Sequence, residues 1–208
     1  MLAILAVIGI SVIFLILFTI WRFRSKANPT PAKWSHNTLL EIVWTLLPVV
    51  ILAFIAYPSF RLLYYMDSTP HPDLTIKAIG KQWYWTYEYP DHGNFSFDSY
   101  MIPDKEIQPG QHRLLSVDNP IYVPVGKKVR ILTTSNDVIH SWALPSMGVK
   151  RDCVPGRINE TWFMADKPGT YFGQCSELCG PKHGMMPIEV RALSEQDFNK
   201  WVQAARKK

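Results

Sequence analysis

The chain of 208 residues predicts an all-β barrel or sandwich, tethered by an N-terminal transmembrane helical hairpin and finished by a C-terminal surface helix. Three observations carry this. Residues 1 to 21 and 42 to 60 contain no charged side chain, and each stretch is long enough to cross roughly 30 Å of hydrocarbon as a helix. From Leu74 to Ala192, short runs rich in Val, Ile, Thr, Tyr and Trp are separated by turn residues, the spacing of strands in a sandwich or barrel. Ser194-Glu195-Gln196-Asp197 then opens the last stretch with a helix-cap signature.

The first apolar stretch is followed by Arg22, Arg24 and Lys26. A cleavable signal peptide carries its positive charge before a short apolar core, so this order favours a stop-transfer span. The second span runs from Ile42 to about Tyr65 and contains Pro48 and Pro58, which a membrane helix tolerates where neighbours or local kinks satisfy the freed carbonyls. Between the spans, Arg22, Arg24, Lys26 and Lys33 face no acid before Glu41, which places the connection on the inner side by the positive-inside rule. Both termini then lie outside, in the periplasm or the mitochondrial intermembrane space, for a two-span protein of the bacterial plasma membrane or mitochondrial inner membrane. Glu41 sits at the inner mouth of the second span. It reads either as a helix-start acid favoured by the dipole or as a point of proton uptake, since acids at membrane depth are often functional.

The expected division is a transmembrane hairpin over 1–66, a proline-bearing linker over 67–73, a β domain over 74–192, and a C-terminal helix and tail over 193–208. Strands are expected at Leu74–Ile79, Gln82–Tyr89, His112–Val117, Lys128–Thr134, Thr161–Met164, Thr170–Gly173 and Pro187–Arg191. The net charge of +5 is misleading about partners. Residues 1 to 66 carry +4 and residues 193 to 208 carry +2, so the region between them is −1. The β domain thus has no basic excess for phosphate, which argues against a nucleic-acid partner.

The chemistry concentrates in Cys175-Ser-Glu-Leu-Cys179-Gly-Pro-Lys-His183-Gly-Met-Met186, with the spacing C-x-x-x-C-x-x-x-H-x-x-M. Thiolate with thioether selects copper or an iron–sulfur cluster, whereas structural zinc uses Cys and His. Copper is the best match. One loop rarely completes a copper site, and His140 lies at a strand end after the run Val129–Thr134. A histidine from an earlier strand and the remaining ligands from a late loop is the arrangement of cupredoxin-like sites. A mononuclear blue-copper site needs a single Cys, so the second thiol argues for two coppers.

The metal loop, the aromatic run Gln82-Trp83-Tyr84-Trp85-Thr86-Tyr87-Glu88-Tyr89, the blocks Phe97-Asp98-Ser99-Tyr100-Met101 and Val154-Pro155-Gly156-Arg157, and Trp44-Thr45-Leu46-Leu47-Pro48 together resemble the family of cytochrome c oxidase subunit 2. The resemblance implies a cupredoxin-like domain with a binuclear copper centre, CuA. Cys175 and Cys179 would bridge the coppers, His140 and His183 would be terminal ligands, and Met186 and the Glu177 carbonyl would be weak axial ligands. The Glu177 side chain would reach a magnesium shared with the haem-bearing subunit 1. The implied function is to accept electrons from cytochrome c and pass them to that subunit for reduction of O2 to water, coupled to proton translocation. Trp83 would be where electrons enter, Glu41 would lie at a proton channel, and Glu88, Asp91, Asp118 and Asp137 would attract the basic face of cytochrome c.

Other readings stand beside these. Trp83, Trp85, Tyr87 and Tyr89 alternate at period two, so all four fit one core face. Cys175 and Cys179 fit a disulfide in an oxidising compartment. Cys153 reads as a buried free thiol outside the ligand set, and His36, His71, His92 and His112 as surface histidines. A copper-free quinol oxidase subunit lacks the thiols, and a copper-delivery protein would not need the aromatic run.

Overall fold

The computed structural model describes residues 2–30, 32–69 and 71–207; Met1 and Pro31 of the expected hairpin, Pro70 of the expected linker and Lys208 of the expected tail lie outside the described residues. Two compact units divide between Tyr57 and Pro58. The first contains helix α1, Leu2–Arg22, and most of helix α2, Thr38–Asp67. Both are long and apolar enough to cross a membrane. The helical backbone satisfies its own polar groups, as hydrocarbon requires, and the hydroxyls of Ser11 and Thr19 each donate to a carbonyl one turn back at 2.7 Å. Asn37 starts α2 with a reciprocal cap: its side chain accepts the Leu40 N–H at 3.1 Å, and its own N–H donates to Glu41 Oε1 at 3.3 Å. Such a cap satisfies donors that the first turn leaves orphaned.

Among the described residues the second unit holds ten strands: β1 Leu74–Lys81, β2 Tyr84–Tyr89, β3 Phe95–Ser99, β4 Ile121–Pro124, β5 Lys128–Ser135, β6 His140–Leu144, β7 Val149–Cys153, β8 Asn159–Met164, β9 Gly169–Gln174 and β10 Pro187–Leu193. They form a five-stranded sheet in the order β3-β2-β1-β5-β8, a three-stranded sheet β4-β10-β9, and the pair β6-β7. This is the expected β domain. Alternation decides which side chains enter the core, because successive residues of a strand face opposite sides. Leu74, Ile76 and Ala78 of β1, Val129 and Ile131 of β5, and Trp85, Tyr87 and Tyr89 of β2 are all buried. Each large apolar side chain taken fully from water contributes about 1.5–3 kcal/mol.

The C-terminal helix α3, Glu195–Ala205, is capped by Ser194, whose Oγ accepts the Asp197 N–H at 3.2 Å. Phe198 and Val202 are buried on its inner face, and the Trp201 ring lies 4.6 Å from Tyr122 and 5.2 Å from Tyr89, centroid to centroid.

Two expected strands need correction. His112–Val117 is a turn: the Leu115 and Ser116 N–H groups donate back to the His112 carbonyl at 3.1 and 3.0 Å, and Leu114 has φ 63°. The Ser116 hydroxyl accepts the His112 N–H at 2.9 Å, a local bond that competes with a sheet ladder, and the run meets Met101–Ile102 at an isolated bridge, Val117 opposite Met101 and the Ser116 carbonyl accepting the Ile102 N–H at 3.0 Å. Strand β2 begins at Tyr84, because Gln82 and Trp83 form the turn out of β1.

A glycine lets β9 approach β6 closely. A Cβ on Gly173 would stand 1.9 Å from the Ala143 carbonyl oxygen, so glycine alone allows these backbones to meet. Gly173→Ala is expected to destabilise the domain by about 3 kcal/mol, at the upper end of overpacking costs, as read by the denaturation midpoint at unchanged slope.

Candidate metal centre

His140 is the first residue of β6, and the loop from Cys175 to Met186 joins β9 to β10. The Ser176 N–H donates to the Ser141 carbonyl at 3.0 Å, and the Cys175 N–H to the Met186 carbonyl at 3.2 Å. These bonds close the loop over the strand end. Among the described residues, His140, Cys175 and Cys179 form a buried cluster whose ligand atoms all lie within 4.8 Å of one another. The two thiols are free, with Sγ atoms 3.9 Å apart, not a disulfide.

The other sequence-derived candidates arrive at the same spot. His183 Nδ1 is 3.6 Å from Cys179 Sγ, Met186 Sδ is 3.6 Å from the same sulfur, and the Glu177 carbonyl is 3.4 Å from Cys175 Sγ. His140 turns Nδ1 toward Cys175 Sγ at 3.9 Å and Nε2 toward Asp137 Oδ1 at 2.8 Å. A Cβ on Gly80 would stand 2.6 Å from His140 Cδ2, so the bare backbone of β1 forms the floor beneath the imidazole. The edge of Trp85 closes one side. Donors of this kind, soft sulfur with imidazole, suit a soft or borderline metal, and their burial suits a site that keeps water out.

Electrostatics distinguish the two thiols. Burial opposes ionisation of Cys175, but hydrogen bonding with His140, the Glu177 and Ser141 backbone and His183 outweighs it and brings the pKa down to about 7. Burial pushes Cys179 up to about 12, with the charge of Cys175 adding to the rise. Burial also works against a charge on His140, yet its bonds to Cys175 and Asp137 raise its pKa above the ordinary value. For Asp137, desolvation is outweighed by donors from His140, Gln82 and Val138, which hold the carboxyl below its usual range. Cys153 is buried, free and outside the cluster, although it lies opposite His140 in the β6–β7 register.

Trp83 separates from its alternating neighbours. Trp85, Tyr87 and Tyr89 fill the core, whereas Trp83 is half-buried in the turn, and its Nε1–H donates to the Cys179 carbonyl at 3.2 Å. Gln82 Nε2 donates to the same carbonyl at 2.9 Å. Gln82 and Gly80 had no assigned role in the sequence reading, although a glycine inside a strand signals close backbone approach. Each acid expected on a docking face has a partner within the chain. Glu88 pairs with Lys77 at 3.0 Å, Asp91 accepts the Thr75 N–H at 2.6 Å, and Asp118 accepts the Tyr100 N–H at 2.7 Å. Glu41 lies at the start of α2, within the cap described above.

The comparisons agree with this architecture. The pattern of the cytochrome c oxidase subunit II periplasmic domain matches residues 74–193, and that of the subunit II transmembrane domain matches residues 1–62. A probable cytochrome c oxidase subunit 2 of Rickettsia felis is 55% identical over 190 residues, covering 91% of this chain and 60% of the relative. The mitochondrial cytochrome c oxidase subunit 2 of Glycine max is 52% identical over 201 residues, covering 94% of this chain and 51% of the relative. The crystal structure of the periplasmic domain of subunit II of the Bradyrhizobium japonicum cytochrome oxidase superposes with a TM-score of 0.63 at 55% identity, covering 67% of this chain and 98% of that one. The chain belongs to the cytochrome c oxidase subunit II family. It spans 60% of the length of the Rickettsia relative and 51% of the soybean one.

In the metal-free protein, thiolate ultraviolet absorbance is expected to rise in a step near pH 7, and Cys175→Ser is expected to abolish that step. Because the folded value lies below the ordinary 9.0, the stability that ionised Cys175 contributes is complete above pH 9.0 and is lost as pH falls through about 7.

Proposed function

We propose that the β domain accepts electrons from a cytochrome c at a binuclear copper centre, CuA, and that the chain passes them to the haem-bearing subunit 1 of a terminal oxidase. That oxidase would reduce O2 to water and couple the reaction to proton translocation. The observation that carries this reading is the convergence of two thiols, two imidazoles, a thioether and a carbonyl beside an indole. Cys175, Cys179, His140, His183, Met186 and the Glu177 carbonyl would hold the metals. A thiolate-bridged copper pair supplies reversible one-electron chemistry with the charge shared over two nuclei.

The chain's own residues supply the setting. Burial of His140, Cys175, Cys179 and Met186 excludes water and fixes the donors, so little has to rearrange when the charge changes. The hydrogen bond from Trp83 Nε1 to the Cys179 carbonyl would give an electron accepted at the indole a short route to a residue that would hold the metals. His183, half-buried, would serve the side facing subunit 1. The exposed carboxylate of Glu177 suits magnesium, a hard cation that prefers oxygen. Glu88, Asp91, Asp118 and Asp137 would steer the basic face of cytochrome c, which raises association rates more than affinity. Glu41 would admit protons to subunit 1. The β domain would face the periplasm or the intermembrane space.

The test is electron uptake from reduced cytochrome c by the copper-loaded chain, followed by stopped-flow absorbance. Trp83→Phe is expected to slow it by more than about tenfold, or about 1.4 kcal/mol in the barrier, at unchanged copper content. An unchanged rate would move the route away from Trp83.

A further inference from the structure

We propose that Asp137 is a positioning residue of the metal centre, a clamp that holds the outer nitrogen of His140 and the turn bearing Gln82 and Trp83 in one frame. The proposal rests on reading the cluster as a metal site. It assigns Asp137 a task that steering charge does not describe.

The geometry is specific to this acid. Oδ1 accepts from His140 Nε2 at 2.8 Å and from the Val138 N–H at 2.6 Å, and lies 3.2 Å from Ser135 Oγ. Oδ2 accepts the Gln82 N–H at 2.6 Å, across 55 positions of sequence. Both oxygens are therefore spent inward, although the side chain is 31% exposed. Asp91 and Asp118 also accept backbone N–H groups, but neither bonds a residue of the metal cluster.

Two consequences follow from donor and acceptor chemistry. An ionised carboxylate only accepts, so when the imidazole is neutral Asp137 holds the hydrogen of His140 on Nε2 and leaves the Nδ1 lone pair facing Cys175. A partner on the outer nitrogen sets the tautomer and ring orientation of a metal-binding histidine. The second oxygen anchors Gln82, whose side chain, together with Trp83, grips the Cys179 carbonyl. One carboxylate thus references a histidine from β6 and a cysteine from the β9–β10 loop to the same turn. Ser135 braces it from below, its hydroxyl donating to the Val138 carbonyl at 2.5 Å.

The experiment uses the full chain in detergent with nitrogen-labelled histidine. In the metal-free protein, at a pH high enough to leave the imidazole neutral, magnetic resonance is expected to show His140 as the Nε2-protonated tautomer, and Asp137→Asn is expected to shift it toward a mixture. After copper loading, Asp137→Asn is expected to release copper to a chelator on the order of 10- to 100-fold faster, while Asp118→Asn releases it at the parent rate. If Asp137→Asn does not fold, Asp137→Glu, which keeps the charge and misplaces it, is read in the same two assays. Parent-like tautomer and copper release in the variant, with slower cytochrome c association alone, would overturn the proposal in favour of a docking charge. A parent that takes up no copper defeats the metal reading, and the tautomer measurement separates that failure from this one.

Discussion

The metal cluster depends on how closely β9 approaches β6. The missing side chain at Gly173 lets the Ala143 carbonyl sit where a Cβ would otherwise be, and the bond from Ser176 to Ser141 follows one turn of chain later. With those backbones in contact, Cys175 leaves β9 directly beside His140, the first residue of β6. The remaining donors are then set by the loop itself, which returns to β10 through the Cys175–Met186 backbone bond. A widening here would move sulfur and imidazole apart together, because they ride on opposite sides of the same gap.

A second frame comes from the β1–β2 turn. Lys81 and Tyr84 are the last paired residues of that hairpin, and the two residues between them both donate side-chain hydrogens to the Cys179 carbonyl. The aromatic run therefore does two jobs. Trp85, Tyr87 and Tyr89 are core residues that hold β2 on the domain, and Trp83 leaves the core to cover the site. Aromatic rings carry large buried area with a polar tip available for a directed bond, and Trp83 uses that tip on the loop that bears the thiols.

Much of this was legible from residues alone. The loop Cys175–Met186 showed by its spacing which donors gather, and the apolar stretches announced the helices by length, since both signals are local. The period of two from Trp83 to Tyr89 was legible too and fits a uniform core face; the family resemblance set Trp83 apart from it, and the turn geometry gives the physical reason. Short strands β3, β4, β6 and β7 were not among the expected strands because four or five residues hold too little alternation to stand out. The His112–Val117 run misled for the opposite reason: its apolar content is real, but Ser116 closes a turn with its own hydroxyl. The contacts of Gly80 with His140 and of Gln82 with Asp137 and Cys179 cross long sequence separations, which no local pattern encodes.

The central claim is that two thiols, two imidazoles and a thioether hold a pair of coppers sharing one electron. Copper content and electron paramagnetic resonance of the oxidised full chain test it most directly. The account predicts two coppers per chain and one unpaired electron split by both nuclei. One copper with a signal split by a single nucleus would contradict it and leave a mononuclear cupredoxin in its place.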